Sequence, residues 1–445
     1  MNKSYLLNKS IEYQNRIKRY LPGGAHYNFH AKSHKNEICF SKGYRSRLWD
    51  LDGNEYLDLA GKSGALILGH NHKEYMHVLS DCLRGPTAVD TITVGEEVCR
   101  KLSRYVPCCE MVRFGLSGTE VVQNALRLAR AYTKKRLIIK FEGHFHGSAD
   151  NIMVNQYDTE YVPYDDGSSI FSTAGRDNGI FLNQVLVIPW NNINIVKDVI
   201  ARYHNEVAAV ITEPVCINGG GIMPEENFLS DLRQVCSDNG IVLIFDEMIT
   251  GIRLGLGGAQ EKYKVVPDLC LLGKSLAGGS LPASAICGKR DIMKLYEEGT
   301  VVHAGTFNGY PLGLAAINAT LDIISQNADN YYQNMKAIAL MLYEVIMEQA
   351  QKSGIELIIQ GPEACSVMNC NKTPINNYKS YGKKTIGKNG VLYDCFKNYG
   401  IILASPTKLY PNMVMDIEDV EFVKERVKII LDSAALILNR VKFKD

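Results

Sequence analysis

Five short runs dominated by apolar residues constrain this chain more than any other feature. They are "RLIIKF" (136–141), "VLVIPW" (185–190), "VAAVITEP" (207–214), "IVLIFDE" (241–247) and "LCLLGK" (269–274). A strand with one wet face alternates apolar and polar residues, whereas a strand that is apolar on both faces has to be covered on both. Helical stretches separate the runs. In "ENFLSDLRQVCSDNG" (226–240), Phe228, Leu229, Leu232, Val235 and Cys236 share one helical face, and Asn239-Gly240 is the stop. Strands and helices in this alternation predict an α/β fold, with a mostly parallel sheet under helices on both sides.

The flanks read differently. Residues 4–20 have the pattern of one amphipathic helix, stopped by "PGG" at 22–24. "RLWDLDGNEYLDLA" (47–60) alternates around Asp52-Gly53 and predicts a β-hairpin. After residue 311 an Ala- and Leu-rich helical stretch follows, then a polar Lys/Asn/Gly-rich segment (371–389) expected as an exposed loop, then a helix over about 417–441. With 445 residues there is room for more than one domain. We expect an N-terminal segment (1–75) and a C-terminal part (316–445) to build a smaller α+β domain beside a large domain spanning 76–315.

Charge narrows the partners. Lys and Arg number 49 against 48 Asp and Glu, which favours neither a nucleic acid nor a membrane surface. The N-terminus carries charges or amides every few residues, unlike a signal peptide, and no apolar run approaches bilayer-spanning length. Twelve cysteines are present without any C-x-x-C pair, so they read as reduced, buried, small hydrophobes of a cytoplasmic protein.

Chemistry is expected where ligands bind in open parallel sheets, outside the carboxyl ends of the strands. Three runs end in charged groups there: Glu213 in "ITEP", Asp246-Glu247 in "IFDE" and Lys274 in "LLGK". Singly, each reads equally as a helix cap or half of an ion pair. Together they would put carboxylates and one amine on one rim. In "RFGLSGTEVVQNALRLAR" (113–130), Ser117-Gly118-Thr119-Glu120 has capping-box spacing. It serves either as a well-capped helix start or as an anion site of free N–H groups and hydroxyls. No Walker A loop and no G-x-G-x-x-G opens a helix. In "KFEGHFHGSAD" (140–150), His144 and His146 flank Phe145. On a strand their i,i+2 spacing would put both on one face with Phe145 on the other, and two histidines alone suit a metal poorly, which leaves Phe145 as an aromatic plate over a flat ligand. A lysine, a strand-end aspartate, a phosphate cradle and an aromatic plate match the needs of pyridoxal phosphate. Its aldehyde condenses with an amine, its pyridine nitrogen wants a carboxylate, and its phosphate wants N–H and hydroxyl donors.

At these residues the chain resembles the class III aminotransferases, which are fold type I pyridoxal-phosphate enzymes, and most closely the glutamate-1-semialdehyde aminomutase branch. "LPGG", "LWDLDGNEYLD", "ILGHNH", "SGTE", "FEGHFHG", "TEPV", "FDEMITGIR", "PDLCLLGKSLAGG" and "HAGTFNGYPL" occur in family order from about Leu21 onward. The resemblance implies that Lys274 binds the cofactor covalently and moves the proton between substrate Cα and cofactor C4′. It implies that Asp246 pairs with the pyridine nitrogen. Ser117, Gly118 and Thr119 would hold the phosphate, Phe145 would stack on the ring, and Asn218 with Glu213 would approach the ring hydroxyl. Thr306 would reach the phosphate of a neighbouring subunit, so a homodimer is implied.

Three departures from the branch bear on the substrate. The position of the family's carboxylate-binding arginine is His30, its "GSWG" tryptophan is Ser63, and its "FEAGF" segment is "KLYPNM" (408–413), with no glutamate. With His26, Tyr27, Asn28, His30 and Ser63 in these places, we expect a bulkier, hydroxyl-rich acceptor, since neutral polar side chains recognise hydroxyls. A ketone or aldehyde of a sugar, cyclitol or aminoglycoside-like molecule fits. The expected activity is transfer of an amino group to it from a donor such as L-glutamate. An aminomutase, a pyridoxal-phosphate epimerase and a non-catalytic binding protein are the alternatives, and intact Lys274 and Asp246 weigh against the last.

Overall fold

A computed structural model describes residues 4–26, 38–154, 161–163, 169–171, 184–203 and 205–441. The chain divides into two compact units. One comprises residues 1–73, 330–374 and 381–445, the other residues 74–329 and 375–380. The larger unit thus runs on past residue 315, taking in the whole of the helix Pro311–Ser325, and it gains six residues from much later in the chain.

In chain order, the first unit opens with strands β1 (Phe40–Tyr44), β2 (Arg47–Asp50) and β3 (Glu55–Leu59). The β2–β3 hairpin forms where Asp52-Gly53 predicts it. Gly53 has φ +87°, and Asp50 Oδ1 accepts from the N–H groups of Asp52 (2.9 Å) and Asn54 (2.8 Å). The N-terminal helix is shorter than expected, Asn8–Ile17. Tyr5 stays outside it because its backbone and its hydroxyl bond Asn398 O and Glu55 O instead.

The second unit carries β4 (Met111–Gly115), β5 (Leu137–Phe141), β6 (Tyr161–Pro163), β7 (Ser169–Phe171), β8 (Val185–Ile188), β9 (Val207–Thr212), β10 (Val242–Asp246), β11 (Leu269–Leu272) and β12 (Ser284–Gly288). They form one sheet in the order β4-β12-β11-β10-β9-β5-β8-β7-β6. The central five are parallel to one another, β11-β10-β9-β5-β8. These are the five apolar runs singled out in the sequence. The antiparallel flanks β12, β7 and β6, and with them β4, lie outside that reading. β6 and β7 have only three residues each, and β12 holds Ser284 and Gly288, which cut its apolar run short. Val121, Ala125, Leu128 and Ala129 of the helix Gly118–Thr133 pack with Ile138, Ala209, Ile211, Val242, Ile244 and Leu271 in the same apolar core.

The first unit ends with β13 (Ile358–Gln360), β14 (Ser366–Asn369), β15 (Ile401–Leu403) and β16 (Lys408–Leu409). Strand β15 joins β3 in parallel, and β13-β14-β16 form a separate antiparallel sheet. The closing helix, Ile417–Leu438, starts at Asp416, whose Oδ1 accepts from Glu418 N at 3.0 Å.

The segment 371–389 is the largest correction. It is mostly helical, with helices Tyr378–Tyr381 and Lys383–Asn398, rather than an exposed loop. Its polar composition hides a structural job. Asn389 is fully buried, accepting from Cys370 N (2.9 Å) and donating to Asn369 Oδ1 (3.1 Å).

Asp268 fixes where β11 starts against β10. Its backbone N–H donates to Leu243 O (2.9 Å), and its carboxylate accepts from Leu243 N (2.8 Å), Arg233 (2.8 Å) and Lys289 (2.7 Å). Asp268→Ala leaves a buried N–H and a guanidinium without their acceptor. The substitution is expected to destabilise the chain by about 3 kcal/mol, read as a lower urea midpoint at unchanged m-value.

Candidate active site

Strands β9, β10 and β11 are adjacent and parallel, so their carboxyl ends share one rim. Glu213 follows β9 directly, Asp246 ends β10, and Lys274 stands two residues beyond β11. The rim expected from sequence is therefore formed. Glu247 is an exception, for it turns into the protein. Its carboxylate accepts from Thr250 Oγ1 (2.9 Å), Ala259 N (2.5 Å) and Gln260 Nε2 (3.0 Å), bracing the helix Gly258–Tyr263.

Asp246 is almost fully buried. Its Oδ1 accepts from Met248 N at 3.1 Å, and its Oδ2 lies 2.7 Å from His146 Nδ1. Burial pushes the carboxyl up to about 6, opposed by the Met248 N–H and then by the cations Lys274 and Lys140. Burial also holds His146 well below its ordinary range, so the ring is neutral. A carboxylate only accepts, so Nδ1 carries the proton and the bare Nε2 lies buried with no hydrogen-bond partner among the described residues. The expectation for His144 and His146 changes accordingly. They lie in a turn, not a strand, and their rings are neighbours with centroids 6.0 Å apart. His144 accepts from Glu213 N through Nδ1 at 2.9 Å. Sequence reasoning missed His146 as the partner of Asp246. Its immediate neighbour Phe145 drew the attention, and only tertiary contact pairs residues a hundred apart.

Glu213 is the second buried carboxylate. Oε1 accepts from Phe145 N (2.7 Å) and Asn218 Nδ2 (3.0 Å), and Oε2 has no hydrogen-bond partner among the described residues. Burial pushes it up to about 7 against the pull of the Asn218 and Phe145 bonds. Phe145 and Asn218 are thus both bonded to Glu213, while His146, next to Phe145, bonds Asp246.

The phosphate cradle is built at the start of the helix Gly118–Thr133. Ser117 is the N-cap, its Oγ accepting from Glu120 N at 3.2 Å. Glu120 reaches back to Leu116 N (2.9 Å), one residue beyond the capping-box position. Gly118 and Thr119 are the first helical residues, whose N–H groups have no intrahelical acceptor. Thr119 Oγ1 accepts from Ser148 N at 3.1 Å, tying the cradle to the turn that carries Phe145 and His146.

Lys274 is half-buried, with φ +47° in the left-handed region that non-glycine residues rarely adopt. Gly273 before it is required by close approach, because a Cβ there would meet Met248 Sδ at 2.6 Å. The same sulfur lies 3.0 Å from the position of a Cβ on Gly118. Met248, two residues past Asp246, thus packs between the cradle and the lysine turn, and no sequence signal singled it out. Buried carboxylates with open acceptor sites, a helix start with free N–H groups, two glycines against one sulfur and a strained lysine turn suit pyridoxal phosphate. Asp246, Lys274, Ser117, Gly118 and Thr119 would hold it.

Thr306 is exposed in a turn of the larger unit. His26 and Ser63, both exposed, belong to the other unit. Tyr27, Asn28 and His30 lie outside the described residues. Among the described residues no group of three His, Cys, Asp or Glu side chains is placed to hold a metal, and no helix is long and apolar enough to cross a membrane.

Two outcomes are expected. Lys274→Ala removes the visible band of covalently held cofactor and lowers turnover at least about a thousandfold, checked by absorbance and steady-state rates. Affinity for pyridoxal phosphate falls as pH drops through about 6, because a protonated Asp246 no longer offers a carboxylate to the pyridinium. Asp246→Asn binds weakly at every pH and loses that limb, in a fluorescence titration.

Residues 29–408 match the model of the family described as aminotransferase class-III. A glutamate-1-semialdehyde 2,1-aminomutase of Chlorobium phaeobacteroides (strain BS1) is 35% identical over 429 residues, covering 93% of this chain and 96% of the relative. Another protein of that name, from Thermosipho africanus, is 40% identical over 321 residues, 71% of this chain and 74% of its own. Among solved structures, an omega-transaminase from Sphaerobacter thermophilus superposes with TM-score 0.88 at 27% identity, covering 96% of this chain and 97% of that one. A match over most of the chain, with the lysine, aspartate and cradle in place, makes this protein a member of the class III aminotransferases, a pyridoxal-phosphate-dependent enzyme of fold type I.

Proposed function

We propose that the enzyme transfers an amino group between two molecules, as a cytoplasmic homodimer. The donor is an amino acid such as L-glutamate, which leaves as its keto acid. The acceptor is a ketone or aldehyde of a hydroxyl-rich small molecule of sugar, cyclitol or aminoglycoside type, which leaves as an amine. Pyridoxal phosphate supplies the electron sink that makes the donor Cα proton labile. Lys274 takes that proton and returns it at the cofactor carbon. Asp246, oriented by His146, keeps the pyridine nitrogen protonated. Thr306 would complete the phosphate site of the second subunit.

The observation that carries the acceptor reading is the turn Gly61–Gly64, where the chain departs from the aminomutase pattern. All four residues have positive φ: Gly61 +46°, Lys62 +51°, Ser63 +61° and Gly64 +85°. A left-handed stretch costs roughly 1–2 kcal/mol for each non-glycine residue, and persists only when its surroundings impose it. Here they do. Asp58 Oδ1 accepts from Ala60 N and Gly61 N, both at 2.9 Å, while Oδ2 pairs with His70 Nε2 at 2.9 Å. The ring of Tyr410 lies against Gly64, 2.8 Å from where a Cβ would stand. Tyr410 belongs to "KLYPNM", the other departing segment, so the two segments meet at Gly64, and Ser63 beside it is exposed. Matching the family's tryptophan position supports assigning Ser63 to the acceptor, and the same acceptor reading takes in His26, Tyr27, Asn28 and His30.

A second reading is favoured by the relatives named glutamate-1-semialdehyde 2,1-aminomutase, which cover nearly the whole chain. On it, nitrogen moves within one molecule and no keto acid is released. The holoenzyme, given L-glutamate alone, is expected to release one equivalent of keto acid per site as its visible band bleaches. Candidate amino sugars and aminocyclitols should bleach it in the reverse direction. Turnover of glutamate 1-semialdehyde alone, with no bleaching by any of those amines, would replace the transferase reading with the mutase one.

A further inference from the structure

Lys140 is a lysine with no access to solvent, placed on β5 in the middle of the parallel sheet. A buried ammonium survives only if its donors are met. All three are: Nζ donates to Val154 O (2.9 Å), His144 O (3.1 Å) and Ile152 O (3.3 Å). Three donors to three carbonyls is the stoichiometry of the protonated form, since a neutral amine has only two N–H groups. Those carbonyls stand at both ends of the segment 142–154. The same segment carries Phe145, whose N–H bonds Glu213, His146, whose ring bonds Asp246, and Ser148, whose N–H bonds Thr119 of the cradle.

We propose that Lys140 is the positioning residue of the cofactor site, its ammonium pinning the segment 142–154 so that Phe145 and His146 are held in place, and its charge keeping Asp246 ionised. The ionisable groups around it are the carboxylates of Glu213 and Asp246, the thiol of Cys216, and the neutral rings of His144 and His146. Burial draws Lys140 down to about 7, with Glu213, Cys216 and Asp246 pulling the other way. Its positive charge in turn lowers Asp246 and disfavours protonation of both histidines. The assignment uses the cofactor site alone and holds for any acceptor, so its failure leaves the transferase and mutase readings untouched.

The test uses the full-length holoenzyme with Lys140→Met and Lys140→Gln. Lys140→Met is expected to weaken pyridoxal phosphate binding at least about tenfold, and to move the acid-side midpoint of binding to higher pH, because Asp246 loses a neighbouring cation. Lys140→Gln should recover part of the affinity through its amide N–H groups but keep the displaced midpoint. Unchanged affinity in both variants would overturn the proposal. So would weaker affinity with an unmoved midpoint, which any cavity in the core could produce. If neither variant folds, hydrogen exchange of the unsubstituted holoenzyme between pH 7 and 9 decides the matter. The amides of 142–148, corrected for intrinsic exchange, should lose protection with rising pH while those of β9 do not, and a parallel response of both segments would overturn the proposal.

Discussion

A carboxylate placed almost out of reach of water at the end of β10 is the constraint on which the rest of this structure depends. Asp246 keeps its charge near neutral pH only because the protein surrounds it with donors and cations, the Met248 N–H, the His146 ring, Lys274 and Lys140. Each of those groups requires a particular local structure. His146 reaches it from a turn after β5, Lys274 from a left-handed turn after β11, and Lys140 from within β5. The parallel order β11-β10-β9-β5 lets all of them converge. An antiparallel arrangement would send alternate strand ends to opposite rims.

The same convergence ties the parts of the candidate site to one another. The segment 142–154 is stitched to Glu213, Asp246, Thr119 and Lys140, and the lysine turn packs through Gly273 on Met248, against which Gly118 also packs. A flat, phosphorylated ring gains from such a site because its orientation decides which bond of the substrate reacts, and a preorganised environment need not rearrange during the reaction. The acceptor reading proposed above rests on a different structural element. The left-handed Gly61–Gly64 turn departs from the pattern of the aminomutases and is held by its own contacts with Asp58 and Tyr410.

Much of the site was legible in the residues. Glu213, Asp246 and Lys274 end apolar runs, and a charge there is conspicuous because the strand before it has no other use for one. Ser117-Gly118-Thr119 was legible because helix starts obey local capping chemistry. The segment 371–389 misled because Asn, Lys and Gly are common in loops, yet here Asn389 satisfies buried backbone groups from inside a helix. His146 and Met248 were missed for a related reason. Each acts through a partner distant in the chain, and nothing in its own neighbourhood announces it.

The sequence by itself determined the class of fold, the rim and the cofactor, since apolar runs, strand-end charges and a capped glycine turn are local patterns with local physical causes. Only the tertiary structure decided which groups face each other. It paired His146 with Asp246, closed Lys140 on three carbonyls, turned Glu247 away from the rim that its neighbour occupies, and set Tyr410 against Gly64. Burial and hydrogen bonding depend on what the rest of the chain brings alongside a residue, and that information is in no single stretch.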